Sequence, residues 1–138
     1  MKVDEAGKAL FMPDRPGNNR IDSLKNLSET GEIGMMFMIP GMDDVYRVNG
    51  RAELVNDQDL AEAFIEFGKA PRSVLRIEVR EAFLHCPKAL MRADLWGDTH
   101  RIERAEFPSL AEMVSDQIGL PKPQTTHEQQ VAQLKESL

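Results

Sequence analysis

Apolar and polar positions follow one another along the chain in patterns that separate strands from helices. Lys8 to Met12 is a short, mostly apolar run closed by Pro13, and it is expected to form a first strand. Ile21, Leu24 and Leu27 recur at the spacing of one helical face, with Gly31 as a natural stop and Asn18 or Asn19 placed to cap the start. Ile33 to Ile39 is apolar on both alternating faces, the pattern of a strand buried on both sides. Val45 to Val55 alternates: Tyr46, Val48, Gly50, Ala52 and Leu54 share one face, and Arg47, Asn49, Arg51 and Glu53 the other. Asp57 then caps a helix whose stripe of Leu60, Ala61, Phe64 and Phe67 runs to Gly68. Between Ser73 and Cys86, Leu75, Ile77 and Val79 face one way while Arg76, Glu78 and Arg80 face the other.

Beyond that strand, Pro87 to Met91 has the makings of a helical turn, and Ser109-x-x-Glu112 is a capping box opening a helix to Gly119. Pro121-Lys122-Pro123 breaks the chain. Thr125-x-x-Glu128 opens a last helix carrying only Val131, Leu134 and Leu138, which either docks on a partner or frays. The fold expected is mainly β with peripheral helices, an antiparallel barrel or sheet. It occupies residues 1–120, followed by a helical tail at 121–138. Three or four strands give a thin core, so a second subunit is expected to complete it.

Composition narrows the function classes. The 138 residues are 41% apolar and 29% charged, ordinary for a folded globular chain, with a net charge of −6. That acidity gives no long-range attraction to phosphate polymers, so nucleic acid is not an expected partner. No apolar run approaches the ~20 residues of a spanning helix, and Met1 to Lys8 does not resemble a secretory signal, so no membrane is expected and the chain reads as cytoplasmic. The single Cys86 forms no intrachain disulfide and builds no thiolate metal site.

Asp14 to Asp22 is the densest polar cluster ahead of a helix. Asn18, Asn19 and Arg20 there suit an anion, because a helix start offers unpaired N–H groups and a favourable dipole, and Arg20 adds a forked donor. The plainer alternative is a capped turn with solvated side chains. Arg47, Arg51, Arg76 and Arg80 lie on polar strand faces and are either solvated or grip an anion in a cleft. His85 and Cys86 fall on opposite strand faces, which disfavours a nucleophilic pair, and Cys86 is expected to be buried. His100 and His127 have no metal-binding spacing around them. Trp96 suits core filling and ligand stacking equally.

Three blocks in order are more specific than any of these features: Pro13-Asp14-Arg15-Pro16-Gly17-Asn18-Asn19-Arg20-Ile21-Asp22-Ser23-Leu24, then Arg47-Val48-Asn49-Gly50-Arg51-Ala52, then Phe83-Leu84-His85-Cys86-Pro87-Lys88-Ala89. The succession resembles the pyridoxamine 5′-phosphate oxidase-like family of FMN-binding split barrels over roughly Leu10 to Val114. The resemblance implies a six-stranded antiparallel split barrel, a homodimer, and FMN in clefts at the subunit interface. By position, Asn18, Asn19 and Arg20 match the turn near the FMN phosphate, and Arg47 the strand bordering the flavin cleft. Lys88, Arg92 and Trp96 match the block that reaches the other subunit's cofactor. The family also carries a strand pair before the first block. Only Met1 to Gly7 precede the Lys8 strand here, so the chain is read as either a truncated product or a variant with an incomplete site.

The function implied is an FMN-dependent oxidoreductase acting on a small molecule. No residue is assigned as a general acid or base. The alternative is a non-catalytic dimeric split-barrel module that has lost flavin binding.

Overall fold

The computed structural model describes residues 1–17 and 20–136. The chain divides into two compact units, residues 1–96 and 97–138. The first unit is built on an open antiparallel sheet in the order β1–β2–β5–β4–β3. Its strands are β1 (Lys2–Val3), β2 (Ala9–Asp14), β3 (Glu32–Met38), β4 (Val45–Val55) and β5 (Ser73–His85), with helices α1 (Asp22–Thr30), α2 (Gln58–Glu62) and α3 (Lys88–Ala93) around it. The fold is therefore mainly β with peripheral helices and split-barrel-like. The sheet does not close.

The core lies on the face that the period-two pattern marks out. Register places Leu10, Ile77 and Ala52 side by side across β2, β5 and β4. Leu27 of α1 is buried against them together with Val48 and Leu75, and Leu24, Ile33 and Met35 pack around the cluster. Each large side chain fully buried there contributes about 1.5–3 kcal/mol. Gly31 adopts φ 68° at the end of α1, donates its N–H to the Leu27 carbonyl at 2.7 Å, and accepts from the Ala52 N–H at 2.9 Å. This turn ties the helix directly to β4 before the chain enters β3.

The opposite face carries charge at its centre. Cross-strand contacts join Arg51 to Glu32 at 3.5 Å, Arg80 to Glu32 at 3.3 Å and Arg76 to Glu53 at 3.4 Å. All are solvent-screened, worth at most about 1 kcal/mol each. Pairing between β4 and β5 slips between Asn49 and Gly50, where Asn49 faces Glu81 and Gly50 faces Val79. Arg80 is the extra residue of this bulge.

Several elements differ from their sequence pattern. The run Ile33–Ile39 does not become a strand buried on both faces. β3 is the sheet's edge, with Ile33, Met35 and Phe37 half-buried and Met36 and Met38 exposed. β1 was not anticipated: it forms because the Asp4 carboxylate accepts the N–H groups of Lys8 at 2.7 Å and Ala9 at 2.9 Å, folding residues 4–7 into a turn. Asp57 caps α2 as expected, accepting from the Leu60 N–H at 2.9 Å, but α2 stops at Glu62. Phe64 is buried, whereas Phe67 is 72% exposed in a tight turn at φ 52°, with Glu66 and Lys69 exchanging backbone hydrogen bonds across it. Phe67 and Gly68 both take positive φ there, which ends any helical stripe. The N-cap of α1 is Ile21 with no side-chain cap. Asn18 and Asn19, expected to cap it, lie outside the described residues. Cys86 is exposed, not buried.

The second unit holds a 3-10 turn (Arg104–Glu106), α4 (Leu110–Ile118) and α5 (His127–Glu136). The capping box of α4 is formed in both directions: the Ser109 N–H donates to Glu112 Oε2 at 2.8 Å, and the Glu112 N–H to Ser109 Oγ at 3.3 Å. The bond from the Ser109 backbone holds the Glu112 carboxyl below its ordinary range. α5 is capped one residue later than its pattern suggests, by Thr126 and Gln129. Among the described residues, no helix is long and apolar enough to cross a membrane.

Two outcomes follow from this geometry. A Cβ at Gly50 would lie 2.2 Å from the Glu78 carbonyl oxygen, whereas one at Gly34 would meet only the Asn49 side chain at 3.3 Å. Gly50→Ala is therefore expected to cost about 3 kcal/mol or more in urea denaturation, and Gly34→Ala about 1 kcal/mol or less. The Asp4 carboxyl is held below its ordinary range, first by the Ala9 N–H and also by the Lys8 N–H. Its folded value lies below the open-chain value, so its contribution is full above the ordinary carboxylate range and is lost as pH falls through the depressed one. Exchange protection of the Lys8 and Ala9 amides should decline over that acid window, and Asp4→Asn should flatten the decline.

Candidate functional site

The sequence places its candidate residues at two ends of the sheet. At one end β2 delivers Asp14 beside Ser73, and the chain then turns into α1. The N-cap residue of α1, Ile21, makes no side-chain cap, so among the described residues the helix start carries no side-chain cap at its first-turn N–H groups. A concavity of about 130 Å³ opens there, lined by Asp14, Arg15, Arg20, Leu24 and Arg72 among others. It adjoins a groove of about 470 Å³ with which it shares Asp14, Arg15 and Leu24. The groove walls are mixed, with Met12, Leu27, Ile33, Met35 and Leu75 on the apolar side and Ser23, Asn26 and Glu32 among the polar ones.

The three arginines are not equivalent. Arg20 donates from Nε to Asp22 Oδ2 at 2.9 Å and from a terminal nitrogen to the same oxygen. Arg15 donates to the Phe64 carbonyl at 2.6 Å and pairs with Glu66 at 3.0 Å, which ties the turn after α2 to the rim of the concavity. The Arg72 backbone N–H is bonded to the Asp14 carbonyl at 3.3 Å. Among the described residues its guanidinium has no hydrogen-bond or ion-pair partner.

At the other end of the sheet, Arg47 of β4 stands opposite Phe83 of β5, its guanidinium carbon 6.0 Å from the ring centroid. Arg47 Nε is buried and has no hydrogen-bond partner among the described residues. A buried donor left unmatched costs about 1–3 kcal/mol, which makes this atom a place where an acceptor would be strongly favoured. Just beyond, α3 carries Lys88 and Arg92, with Arg92 Nε donating to the Lys88 carbonyl at 3.2 Å. Trp96 is half-buried and donates its Nε1–H to the Met42 carbonyl at 2.7 Å. The ring is thereby clamped beside the loop that leads into β4.

Within one chain the two groups are not brought together. The Asp14–Ser73 pair and the Arg47–Phe83 pair are separated along β5 by about 33 Å, at ~3.3 Å per residue. One small molecule cannot touch Arg20 together with Arg47, Lys88, Arg92 or Trp96 of the same chain. Asn18 and Asn19 lie outside the described residues. Arg72 had no signal in the sequence, because its neighbours Asp14 and Arg20 are more than fifty positions away along the chain. Arg15 was visible only as one member of a polar turn. Among the described residues, no group of three or more His, Cys, Asp or Glu side chains is placed to hold a metal ion.

The open antiparallel sheet with its peripheral helices is split-barrel-like, with an arginine-lined recess beside a larger groove. The family model described as pyridoxamine 5′-phosphate oxidase matches residues 1–86, and the chain belongs to that family, whose members commonly bind flavin. No curated protein and no solved structure matches the chain.

The unequal partners of the arginines have a measurable consequence. Arg15→Ala should lower stability by about 1–2 kcal/mol, since two contacts to a partly buried guanidinium are lost. Arg72→Ala should change it by no more than about 0.5 kcal/mol. Urea titrations of both variants check this, and equal losses would contradict the assignment.

Proposed function

We propose that the protein is an FMN-dependent oxidoreductase acting on a small molecule, with the flavin phosphate held at the start of α1. The observation that carries this reading is the recess lined by Arg15, Arg20 and Arg72 adjoining the groove that Met12, Leu24 and Met35 line on its apolar side. A phosphate needs charge-assisted donors, and the recess offers guanidinium groups beside an uncapped helix start. A flat ring system needs apolar surface to lie against, and Met12, Leu24, Ile33 and Met35 offer it on one side of the groove. The residues present fit the cofactor.

In this reading Arg20 and Arg72 hold the phosphate, with Asn18 and Asn19 assigned to the same turn by their place in the chain. The side chains of Leu24, Ile33 and Met35 keep water from one side of the ring. FMN supplies the redox chemistry when bound, and the chain supplies anchoring, placement and exclusion of water. Arg47, Lys88, Arg92 and Trp96 are too far along β5 for this flavin. They are proposed instead to face the cofactor of a second subunit in a homodimer, where the unmatched Arg47 Nε would find its acceptor. No side chain is assigned as a general acid or base.

A second reading, a dimeric module without flavin, draws on Asp22 and Glu66, which already neutralise Arg20 and Arg15. The visible spectrum of the purified protein and FMN titrations distinguish the two. Under the enzyme reading, flavin bands are present or are restored by added FMN. Arg20→Ala then weakens binding by roughly 1.5–3 kcal/mol, tenfold or more, and Arg20→Lys recovers only part of it. Equal FMN affinities for wild type and both variants would remove Arg20 from the site, and a colourless protein that takes up no FMN would overturn the enzyme reading.

A further inference from the structure

The turn after α2 joins backbone strain to a charged tie. Phe67 takes φ 52°, a left-handed backbone that is unfavourable for a bulky side chain, and its ring is left largely in water. Glu66 and Lys69 close the turn around it through backbone hydrogen bonds of 3.2 and 3.0 Å. On one side the turn is anchored by Phe64, which is buried and whose ring lies 5.2 Å from the Lys2 ammonium. Arg15 reaches the same turn from the recess. Its Nη2 donates to the Phe64 carbonyl at 2.6 Å and stands 3.0 Å from Glu66 Oε2. Two oxygens therefore sit on that one nitrogen. A guanidinium grips an anion with two prongs through Nε and Nη2 or through Nη1 and Nη2, and Nη2 belongs to both edges. Arg15 lines the recess, yet neither of its two-pronged edges is clear.

We infer, on the reading of the recess as a phosphate site, that Glu66 is an internal stand-in for the anion: a phosphate group entering the recess takes its place on Arg15 and loosens the Glu66–Lys69 turn. Of the two oxygens on Nη2, the Glu66 carboxylate is the one to leave. It is the more distant, and its side chain is 58% exposed, so water solvates it on release. The Phe64 carbonyl is closer, and losing its donor would leave a partly buried acceptor unmatched. Phosphate brings more charge and more acceptor oxygens to the fork than Glu66 does. Arg15 then becomes a third guanidinium on the phosphate beside Arg20 and Arg72, and keeps its hold on Phe64. The turn loses its charged tie, and the strain at Phe67 favours its opening. The coupling is reciprocal: by whatever factor phosphate weakens the Glu66 contact, that contact weakens phosphate binding.

The test titrates inorganic phosphate into the full chain at constant ionic strength, with amide NMR reporting binding and hydrogen exchange reporting the turn. An exposed ion pair changes an equilibrium by at most about fivefold, so Glu66→Gln should tighten phosphate about two- to fivefold. In wild type, saturating phosphate should speed exchange of the Glu66 and Lys69 amides by a similar factor. In Glu66→Gln these amides should exchange faster from the outset and respond little to phosphate. Far-UV circular dichroism checks folding, and the wild-type exchange measurement needs no variant. Phosphate binding that is weakened by Arg20→Ala but leaves exchange in the turn unchanged or slowed overturns the inference and leaves the phosphate site standing. So does a Glu66→Gln variant that binds phosphate no tighter than wild type. Absence of phosphate binding to wild type and Glu66→Gln alike removes the site and the inference together.

Discussion

The long antiparallel ribbon of β4 and β5 is the constraint on which the first unit depends. β2 and β3 each pair with one of these two, β1 is added through β2, and the core cluster is assembled on their shared face. At the ribbon's centre the backbones approach so closely that only a glycine fits, with Gly50 lying against the Glu78 carbonyl. The bulge lies beside it, at the middle of β5, and the two ends of the strand carry different chemistry. One end receives β2 and α1, with the arginine recess. The other receives α3 and the clamped Trp96. A single pairing decision thus settles which candidate residues can act together.

Much of this was legible in the pattern of residues. Alternation of Val48, Gly50 and Ala52 against Arg47, Asn49 and Arg51 assigned the faces of β4 correctly, and Leu75, Ile77 and Val79 did the same for β5. Those signals are local and repeat with the geometry that causes them. Ile33 to Ile39 carries apolar residues on both faces, the pattern of a strand buried on both sides, but a local pattern does not say where in the sheet a strand lies. The structure makes β3 an edge, and Met36 and Met38 on its second face are exposed. Phe67 misled in the same way: its spacing from Leu60 and Phe64 fits a helix, but Gly68 at positive φ favours a tight turn, and the helix ends early.

The candidate site was legible only where its residues are contiguous. Arg20 stood out because it lies beside Asn18 and Asn19 ahead of a helix. Arg72 reaches the same recess through the β2–β5 pairing, and nothing near it in sequence announces this. The gap between Arg20 and Arg47 was likewise invisible in a linear reading. Family resemblance joins them at one cofactor, whereas strand length keeps them apart within a chain.

The carboxylates already at the recess do not make it unfit for an anion. Asp22 and Arg20 are both largely exposed, as is Glu66, so water screens these pairs and each is worth at most about 1 kcal/mol. A phosphate that replaces Asp22 brings more negative charge and more acceptor oxygens to the same guanidinium. It also meets the first-turn N–H groups of α1, which carry no side-chain cap among the described residues. Exchange of partner therefore costs little on the side of the chain and gains contacts that Asp22 does not make. Arg15 differs because its bond to the Phe64 carbonyl is short and only partly exposed. It is suited to hold the turn after α2 in place, whereas the Arg20–Asp22 pair beside it is solvent-screened.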